Sequence, residues 1–255
     1  MTEYPDHFVR RLEILWGDGF LSPGGPAEVR EILRGIAVEG RRVLDIGCGI
    51  GGPDVVIARD LGAAQVTACD VDEALLERAR RTASKAGVAD RVTFRRISPG
   101  RLPFEDASLD LVFSKEAFLH VGDKAALFAD ILRVLRPGGV LAASDWLRGA
   151  GCESSPEWTA YQQLATYTIV PASSEECRDL LQQAGFIHVS TRDRNAWYAD
   201  LAAEQLALIE GPLREQLIAA SSPAIYEGWV RMRRAQTAAV KAGAMRPTHL
   251  RGVKP

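Results

Sequence analysis

The chain has 255 residues, of which 47% are hydrophobic and 25% charged, and its formal net charge is -2. These values indicate a globular protein with enough apolar side chains for the core of one large domain. The near-neutral charge and the lack of a dense lysine and arginine run argue against a nucleic-acid groove or an anionic membrane surface. We therefore expect a small-molecule substrate, no nucleic acid and no membrane partner.

Two further features of the composition bear on location and metal binding. No apolar run approaches the ~20 residues of a membrane span, and the first residues lack the pattern of a secretory signal, so we expect a cytoplasmic protein. The four cysteines show no metal-ligand spacing, which predicts reduced structural thiols and no metal site. We expect a monomer or a weak homodimer.

Hydrophobic periodicity predicts strands that alternate with helices along the chain, the pattern of an α/β protein. Strands are predicted near residues 41–46, 65–69, 91–97, 109–114, 140–145, 186–191 and 246–253. Helices are predicted near residues 6–16, 27–37, 54–61, 73–86, 123–135, 173–184, 199–209 and 224–242. Residues 136–139, Arg-Pro-Gly-Gly, are expected to separate a helix from the following strand.

The stretch from Arg41 to Gly52 has the pattern of a buried strand, a glycine loop and the start of a helix. Gly47, Gly49 and Gly52 satisfy G-x-G-x-x-G, which lets the backbone pass close to a ligand. Asp45 precedes the first glycine, where a carboxylate would repel the pyrophosphate of a dinucleotide but attract a cationic cofactor. S-adenosylmethionine is such a cofactor, and the alternative is a glycine-rich turn in another α/β protein.

Other candidate residues follow the predicted strands. Asp70 ends the second strand at the distance from the glycines where an acid can accept both ribose hydroxyls of an adenosine. The loop that contains Ser98 and Pro99 is predicted to border the adenine. The segment from Lys115 to His120 follows the fourth strand, and ligands of open α/β sheets bind outside the carboxyl ends of the strands. We therefore expect the chemistry there.

The strand and loop V-L-D-I-G-C-G at 43–49 resemble the first motif of the class I methyltransferases. Over nearly its whole length the chain also resembles the phosphoethanolamine N-methyltransferases, in Tyr4 and the following helix, in residues 21–25 and 114–120, and in Gly228-Trp229. The resemblance implies a Rossmann-like class I methyltransferase fold with a seven-stranded, mostly parallel sheet, helices on both faces and a helical lid.

We interpret residues 1–255 as one methyltransferase domain with three kinds of segment. Residues 1–40 would form helices over the site, residues 41–145 the cofactor-binding core, and residues 146–172 and 195–243 the substrate lid. The resemblance also implies site residues. Tyr4 and His120 would form a catalytic pair, Glu116 would lie near the accepting nitrogen, and the cofactor would be bound by Leu21, Ser22, Gly47, Asp70, Val71 and Lys115. From the motif and loop positions, Asp45, Gly49, Ser98 and Pro99 join that cofactor-binding set.

The chain departs from the family where the substrate phosphate is bound. Ala165 and Met232 stand where the family has an arginine and a lysine, and Trp146 replaces a tyrosine. A phosphate dianion without these charge-assisted bonds would be poorly held, since each is worth about 1.5–3 kcal/mol. Arg231 and Arg233 flank Met232 and could compensate for the lost charge, although side chains one position apart on a helix are expected to point in different directions. Ser98 replaces the aspartate that binds the adenine amino group in the family.

The predicted reaction is methyl transfer to a nitrogen of a small amine that lacks a phosphate. Histidine can accept the proton of an amine near neutral pH, which suits His120 to the role of base, although a lone histidine is more often structural. The aromatic residues Trp146, Tyr161, Tyr167, Trp197 and Trp229 are predicted to contact the substrate, either as a cation-π cage or as core.

Several alternatives remain open at the level of the sequence. Within the family, phosphoethanolamine itself and the hydroxyl group of a small metabolite are the alternative methyl acceptors. A nicotinamide dehydrogenase would have to place Asp45 beside a pyrophosphate. A binding protein with a methyltransferase fold but no activity is a further alternative, which an assay over a panel of amines would distinguish.

Overall fold

The computed structural model describes residues 4–165 and 169–255. The strands are β1 (Arg42–Ile46), β2 (Gln65–Asp70), β3 (Val92–Arg96), β4 (Leu109–Lys115), β5 (Leu135–Arg148), β6 (Ile187–Asp193) and β7 (Met245–Val253). The α-helices are α1 (Asp6–Trp16), α2 (Gly25–Ile32), α3 (Gly52–Val55), α4 (Glu73–Lys85), α5 (Lys124–Val134), α6 (Pro156–Leu164), α7 (Ser174–Ala184), α8 (Asn195–Glu210), α9 (Arg214–Ala219) and α10 (Pro223–Lys241).

The seven strands form one sheet in the order β3-β2-β1-β4-β5-β7-β6. Strands β1 to β5 are parallel, and β7 runs antiparallel to both of its neighbours. This arrangement confirms the predicted fold. The strand order reverses between β1 and β4, so the loops that leave their carboxyl ends diverge and open a crevice for ligands.

Apolar side chains alternate between the two faces of the sheet. In β1, Val43 packs in one cluster with Val29 of α2, whereas Leu44 packs in a second cluster with Phe128 of α5. In β4, Phe113 belongs to the first cluster and its neighbour Val112 to the second. Each face is therefore covered by helices, which explains why the parallel strands read as nearly continuous apolar runs.

Helices α6, α8 and α10 pack on one another beside the sheet. Their apolar cluster is separate from the two sheet clusters and is rich in aromatic side chains, including Trp158, Tyr198, Tyr226 and Trp229. Leu12 of α1 joins the same cluster. The N-terminal helix and the helices inserted between β6 and β7 thus share one core, and this core adjoins the crevice.

Several local predictions are confirmed. Helix α1 spans the predicted residues. The carboxylate of Asp72 accepts a hydrogen bond from the backbone N–H of Ala74 at the start of α4. Ser173 and Glu176 form the predicted capping box of α7, which ends at Gly185 in the left-handed conformation. Each is a short-range pattern, set by residues within one turn of the helix end.

Other boundaries were predicted wrongly. Residues 136–139 do not separate α5 from the strand, because β5 begins at Leu135. The N–H of Gly138 donates to the carbonyl of Lys254 (2.9 Å), and the N–H of Lys254 donates to the carbonyl of Gly139 (2.9 Å), so distant pairing incorporates this segment into the sheet. Helices α6 and α9 were not predicted, and a π-helical turn, Val56–Asp60, continues α3.

Within the described residues, no helix combines the length and apolar character needed to cross a membrane. The four cysteines, Cys48, Cys69, Cys152 and Cys177, are buried and unpaired, as expected of structural thiols.

Candidate active site

A cavity of about 1300 Å³ lies at the carboxyl ends of β1, β2 and β4. The glycine loop, the segment after β4, helices α1 and α10, and the turn at residues 21–23 contribute to its wall. A site for one small molecule usually has a volume of roughly 300–1,000 Å³. The cavity can therefore hold a cofactor together with a second molecule.

Two glycines of the loop are required by its geometry. Gly47 has a φ of 79°, and a Cβ atom there would lie 2.2 Å from Cβ of Ala117, in the segment after β4. At Gly52 a Cβ atom would lie 2.3 Å from the carbonyl oxygen of Gly19. Any side chain would push apart the glycine loop and the segments that face it. The motif thus provides close approach between chain segments as well as an open surface for a ligand.

The carboxylate of Asp70 is held in position by the backbone. One oxygen accepts from the N–H of Gly49 (3.0 Å), and the other accepts from the N–H of Asp72 (3.0 Å). Burial raises the pKa of this carboxyl group, and these backbone donors partly offset the effect. Since a carboxylate oxygen accepts more than one hydrogen bond, both oxygens can still accept from a ligand in the cavity.

The far wall beyond Asp70 is less enclosed. Val71 is 52% exposed, although it is a large apolar residue, and it lines the cavity. Ser98 and Pro99 lie across the same part of the cavity and are exposed. An aromatic ring system inserted here would cover the exposed surface of Val71, which is consistent with the predicted adenine position.

Lys115 connects the end of β4 to the N-terminal turn. Its buried ammonium group donates to Oγ of Ser22 (2.5 Å) and to the carbonyl of Pro23 (2.9 Å), and it lies 3.3 Å from a carboxylate oxygen of Glu116. Lys115, Ser22 and Leu21 all line the cavity. Because the three donors of the lysine already face protein acceptors, Lys115 holds the turn over the crevice.

Glu116 occupies an unusual backbone conformation at the cavity wall. Its φ is 58°, a left-handed value that is uncommon for residues other than glycine. The second carboxylate oxygen of Glu116 accepts from Nε1 of Trp146 (2.7 Å), and the side chain is 17% exposed. A strained residue that aims a carboxylate at a cavity is a feature of functional sites.

The predicted catalytic pair lines this cavity. Tyr4 precedes α1 and packs against Phe8 with the ring centroids 5.5 Å apart. His120 ends a short 3-10 turn after β4 and is exposed towards the opening. Two residues that are more than a hundred positions apart in the chain thus line the same cavity.

The predicted aromatic residues separate into two groups. Trp146 and Trp229 line the cavity, and the Trp146 ring meets that of Tyr198 edge to face at 4.6 Å. Tyr161 and Trp197 do not line it, which corrects their prediction: Tyr161 is fully buried beside Trp158, and Trp197 stacks against Arg194. The predicted Tyr167 lies outside the described residues.

Comparison with known proteins identifies the family. Residues 43–139 match the family model described as a methyltransferase domain. Phosphoethanolamine N-methyltransferase 1 of Zea mays is 29% identical over 82% of this chain and 41% of its own length. The solved structure of Haemonchus contortus phosphoethanolamine N-methyltransferase 2, in complex with phosphomonomethylethanolamine and S-adenosylhomocysteine, matches with a TM-score of 0.91 and 28% identity, covering 100% of this chain and 59% of that chain.

A bacterial relative is matched over a larger share of its own length. The 27-O-demethylrifamycin SV methyltransferase of Amycolatopsis mediterranei is 34% identical over 191 residues, covering 74% of this chain and 69% of that protein. The chain belongs to the S-adenosylmethionine-dependent methyltransferases. Its predicted resemblance to the phosphoethanolamine enzymes is confirmed, although it spans only 41% of the maize protein and 59% of the Haemonchus chain.

The residues of the cavity fit the methyltransferase cofactor. The Asp70 oxygens can accept from ribose hydroxyls, and Gly47 and Gly49 present backbone without side chains. The exposed surface of Val71 suits an adenine ring. S-adenosylmethionine, as predicted, is the methyl donor of this family.

Asp45 does not line the cavity, which corrects the prediction that it contacts the cofactor. It is buried in β1, and no protein N–H or hydroxyl of the described residues donates to its carboxylate or to that of Asp54. Burial raises the pKa of Asp45 to about 7, and it raises the pKa of Asp54 well above the usual range. The two carboxyl groups interact directly, so we infer that they share a proton beneath the methyltransferase glycine loop.

This pair predicts a pH dependence of stability. The pKa of Asp45 is higher in the folded methyltransferase, about 7, than its ordinary value of 3.8, so the folded state binds the proton more tightly. The free energy of unfolding should therefore decrease as the pH rises from about 4 to about 7. Asp45→Asn should reduce the slope of the unfolding free energy against pH by the equivalent of up to one bound proton. Urea denaturation at several pH values measures this slope. A slope equal to that of the unmodified protein would contradict the shared proton.

Among the cavity-wall residues that the sequence did not identify are Trp16, Tyr198, Arg233 and Gln236. The expectation that Arg233 points away from Met232 was wrong, because both are buried and both line the cavity. Helix α10 buries pairs of adjacent residues, since it has the cavity on one side and α6 and α8 on others. A narrow helical stripe does not predict so wide a buried face.

Proposed function

We propose that this methyltransferase transfers a methyl group to a nitrogen of a small amine that lacks a phosphate. The observation that carries the proposal is the carboxylate of Glu116, which lies at the cavity wall in a left-handed backbone conformation. Its hydrogen bond from Trp146 fixes the direction of the carboxylate and leaves lone pairs for an ammonium group or an amine N–H.

Aromatic rings beside Glu116 support a nitrogen acceptor. Trp146, which donates to this carboxylate, lines the cavity together with Tyr198, whose ring meets it edge to face, and Trp229. The faces of such rings attract alkylated ammonium groups, and the attraction increases where water is excluded. Each methyl group added to an amine removes an N–H donor but keeps the positive charge, so an aromatic wall suits the product as well as the substrate.

The reaction requires alignment and removal of one proton. S-adenosylmethionine, when bound, supplies the methyl group from its sulfonium. An amine attacks only through a free lone pair, so the proton of its ammonium form must be lost. We assign this proton to His120, which follows Glu116 in the segment after β4, and assign to Tyr4, which lines the same cavity, the closing and orienting of the site.

The helices between β6 and β7 would act as the lid over the substrate, together with α6. They supply Tyr198, Trp229 and Gln236 to the wall and pack in a cluster that also includes Leu12 of α1 and Trp146 of β5. A shift of these helices would admit the substrate and then exclude water.

A phosphate-free substrate is supported by the small number of positive charges on the lid side of the cavity. Ala165 and Met232 carry none, which leaves the guanidinium of Arg233, and a phosphate dianion normally binds several donors. An oxygen acceptor is the second candidate, since the relative from Amycolatopsis is named 27-O-demethylrifamycin SV methyltransferase and is 34% identical over 74% of this chain.

The test compares amines with alcohols as methyl acceptors, and the unmodified protein with a Glu116 variant. Purified protein should methylate primary or secondary amines faster than matched alcohols. Glu116→Gln keeps an oxygen that can accept from Trp146 but removes the charge, so kcat/KM for amines should fall about 10- to 100-fold. Glu204→Gln on the exposed surface of α8 is the control and should leave kcat/KM unchanged.

Two results would overturn this assignment. Faster methylation of hydroxyl groups than of amines would replace it with O-methyl transfer. Robust turnover of phosphoethanolamine, above that of amines without phosphate, would show that the phosphate-free part is wrong.

A further inference from the structure

Arg233 places a positive charge in the lid side of the cavity. It lies on α10, is only 3% exposed and lines the cavity next to Met232. The residues that line the cavity from α1, from the turn at 21–23 and from position 146 onward contain no other charged side chain within the described part of the chain. Arg233 is therefore the charged group that this wall presents to the cavity within the described residues, while the buried Arg11 guanidinium, which does not line the cavity, lies 5.1 Å from the Trp229 ring centroid.

No carboxylate of the described residues pairs with this guanidinium. Its NH1 group donates to the amide oxygen of Gln236, and its NH2 group donates to the amide oxygen of Gln205 (2.9 Å). Both acceptors are neutral. A buried charge that is hydrogen-bonded only to neutral groups is expensive to maintain, and a negative ligand would offset that cost.

The same corner has more donors than acceptors. Nε of Arg233 and Nε1 of Trp16 are both buried without a hydrogen-bond partner among the described residues, and the guanidinium lies 5.7 Å from the Trp16 ring centroid. Because the oxygen of the Gln236 amide is used by Arg233, the two N–H donors of that amide are left for another acceptor. Gln236 lines the cavity, so it can present these donors to a ligand.

We propose that the acceptor amine carries a carboxylate, and that Arg233 and Gln236 select for it. This inference rests on the proposed N-methyl transfer and specifies its substrate class. The amine end would lie at Glu116, and the carboxylate would accept from the Gln236 amide within the field of Arg233. Because Nε of Arg233 is enclosed, the arginine acts by its charge and by orienting the Gln236 amide.

The charge balance favours a carboxylate over a phosphate. A carboxylate carries one negative charge, which the single guanidinium of this wall neutralises. A phosphate monoester carries nearly two negative charges at neutral pH, and the second of these charges would have no cationic partner in this wall. A zwitterion with a single negative group thus matches one acid at Glu116 and one base at Arg233.

The experiment compares amines of equal chain length that end in a carboxylate, a hydroxyl or a phosphate. In the unmodified protein the carboxylate-ended amine should have the highest kcat/KM. Arg233→Met should lower its kcat/KM about 10- to 100-fold and should change that of the hydroxyl-ended amine less than about threefold. Arg233→Lys should retain part of the preference, and Arg231→Met, an exposed position on the same helix, should retain all of it.

Folding and binding are measured alongside. Thermal denaturation shows whether Arg233→Met is folded, and Gln236→Leu provides a second variant that should also reduce the preference. Calorimetric titration of the three amines into protein saturated with S-adenosylhomocysteine measures recognition separately from chemistry. The carboxylate-ended amine should bind most tightly.

The outcomes separate this inference from the proposed function. Equal kcat/KM for carboxylate- and hydroxyl-ended amines would overturn the carboxylate and leave N-methyl transfer standing. Equal losses for both amines in Arg233→Met would show that Arg233 is only structural. A preference for the phosphate-ended amine that Arg233→Met abolishes would assign the arginine to phosphate. Methylation of alcohols but not of any amine would overturn the proposed function, and this inference with it.

Discussion

Replacing His120 with alanine should lower the maximal rate of amine methylation by about 10²- to 10⁴-fold, the usual contribution of a positioned general base. His120 lines the cavity at the end of the segment that also carries Glu116. Steady-state rates of the unmodified protein and of His120→Ala, measured with the same amine, check this loss.

Tyr4 provides a second measurement of the same pair. Tyr4→Phe should reduce the rate less than His120→Ala, because the phenylalanine ring still covers the site and packs on Phe8. The double variant should lose less than the product of the two single losses, since residues that act as a unit are not additive. All rates are measured with saturating cofactor.

A second, exposed histidine provides the control. His188→Asn changes an exposed histidine on β6, where asparagine tolerates the left-handed φ of 51°, and the rate should not change. If the losses of Tyr4→Phe and His120→Ala simply multiply, or if His120→Ala retains nearly the full rate, alignment with the sulfonium alone performs the catalysis.

Replacing Asp70 with alanine should weaken the binding of S-adenosylmethionine about 100-fold or more. The carboxylate is held by the N–H groups of Gly49 and Asp72 so that its remaining lone pairs can accept two ribose hydroxyls. Hydrogen bonds to a charged acceptor are worth about 1.5–3 kcal/mol each, so the loss of two has a large effect. Titration calorimetry with the cofactor measures the change directly.

A surface aspartate serves as the control for this prediction. Asp90 is exposed in the loop before β3, and Asp90→Ala should leave the dissociation constant unchanged. Thermal denaturation shows whether the Asp70→Ala protein is folded, because the variant also removes the acceptor of two backbone donors. Unchanged cofactor affinity in a folded Asp70→Ala protein would refute the assignment of Asp70 to the ribose.

On the substrate side of the cavity, the local sequence pattern was insufficient to predict which aromatic residues form the wall. Tyr161 and Trp146 are both aromatic residues of the apolar cluster beside the lid helices, yet of the two only Trp146 lines the cavity, where it donates to Glu116. Their surroundings come from α8 and α10, which lie far away in sequence. Nothing within a few residues of either position distinguishes the two.

Asp45 illustrates the same limit on the cofactor side. Its position before the first glycine led to the prediction of a cofactor contact, but the carboxylate is buried and does not line the cavity. Its interaction with Asp54 depends on where the fold places α3, which carries Asp54. The glycine motif alone does not specify that packing.

The sequence by itself determined the α/β class, the glycine loop, Asp70 and the methyltransferase family, because these depend on short-range patterns: apolar runs, positive-φ glycines, helix caps and motif spacing. Only the tertiary structure decided which lid residues form the cavity wall. That choice depends on how α10 is packed between the cavity, α6 and α8, which buries Met232 and Arg233 side by side on one helix. Long-range packing sets the direction of a side chain whenever a helix is covered on several faces, and here it places a guanidinium beside the proposed substrate.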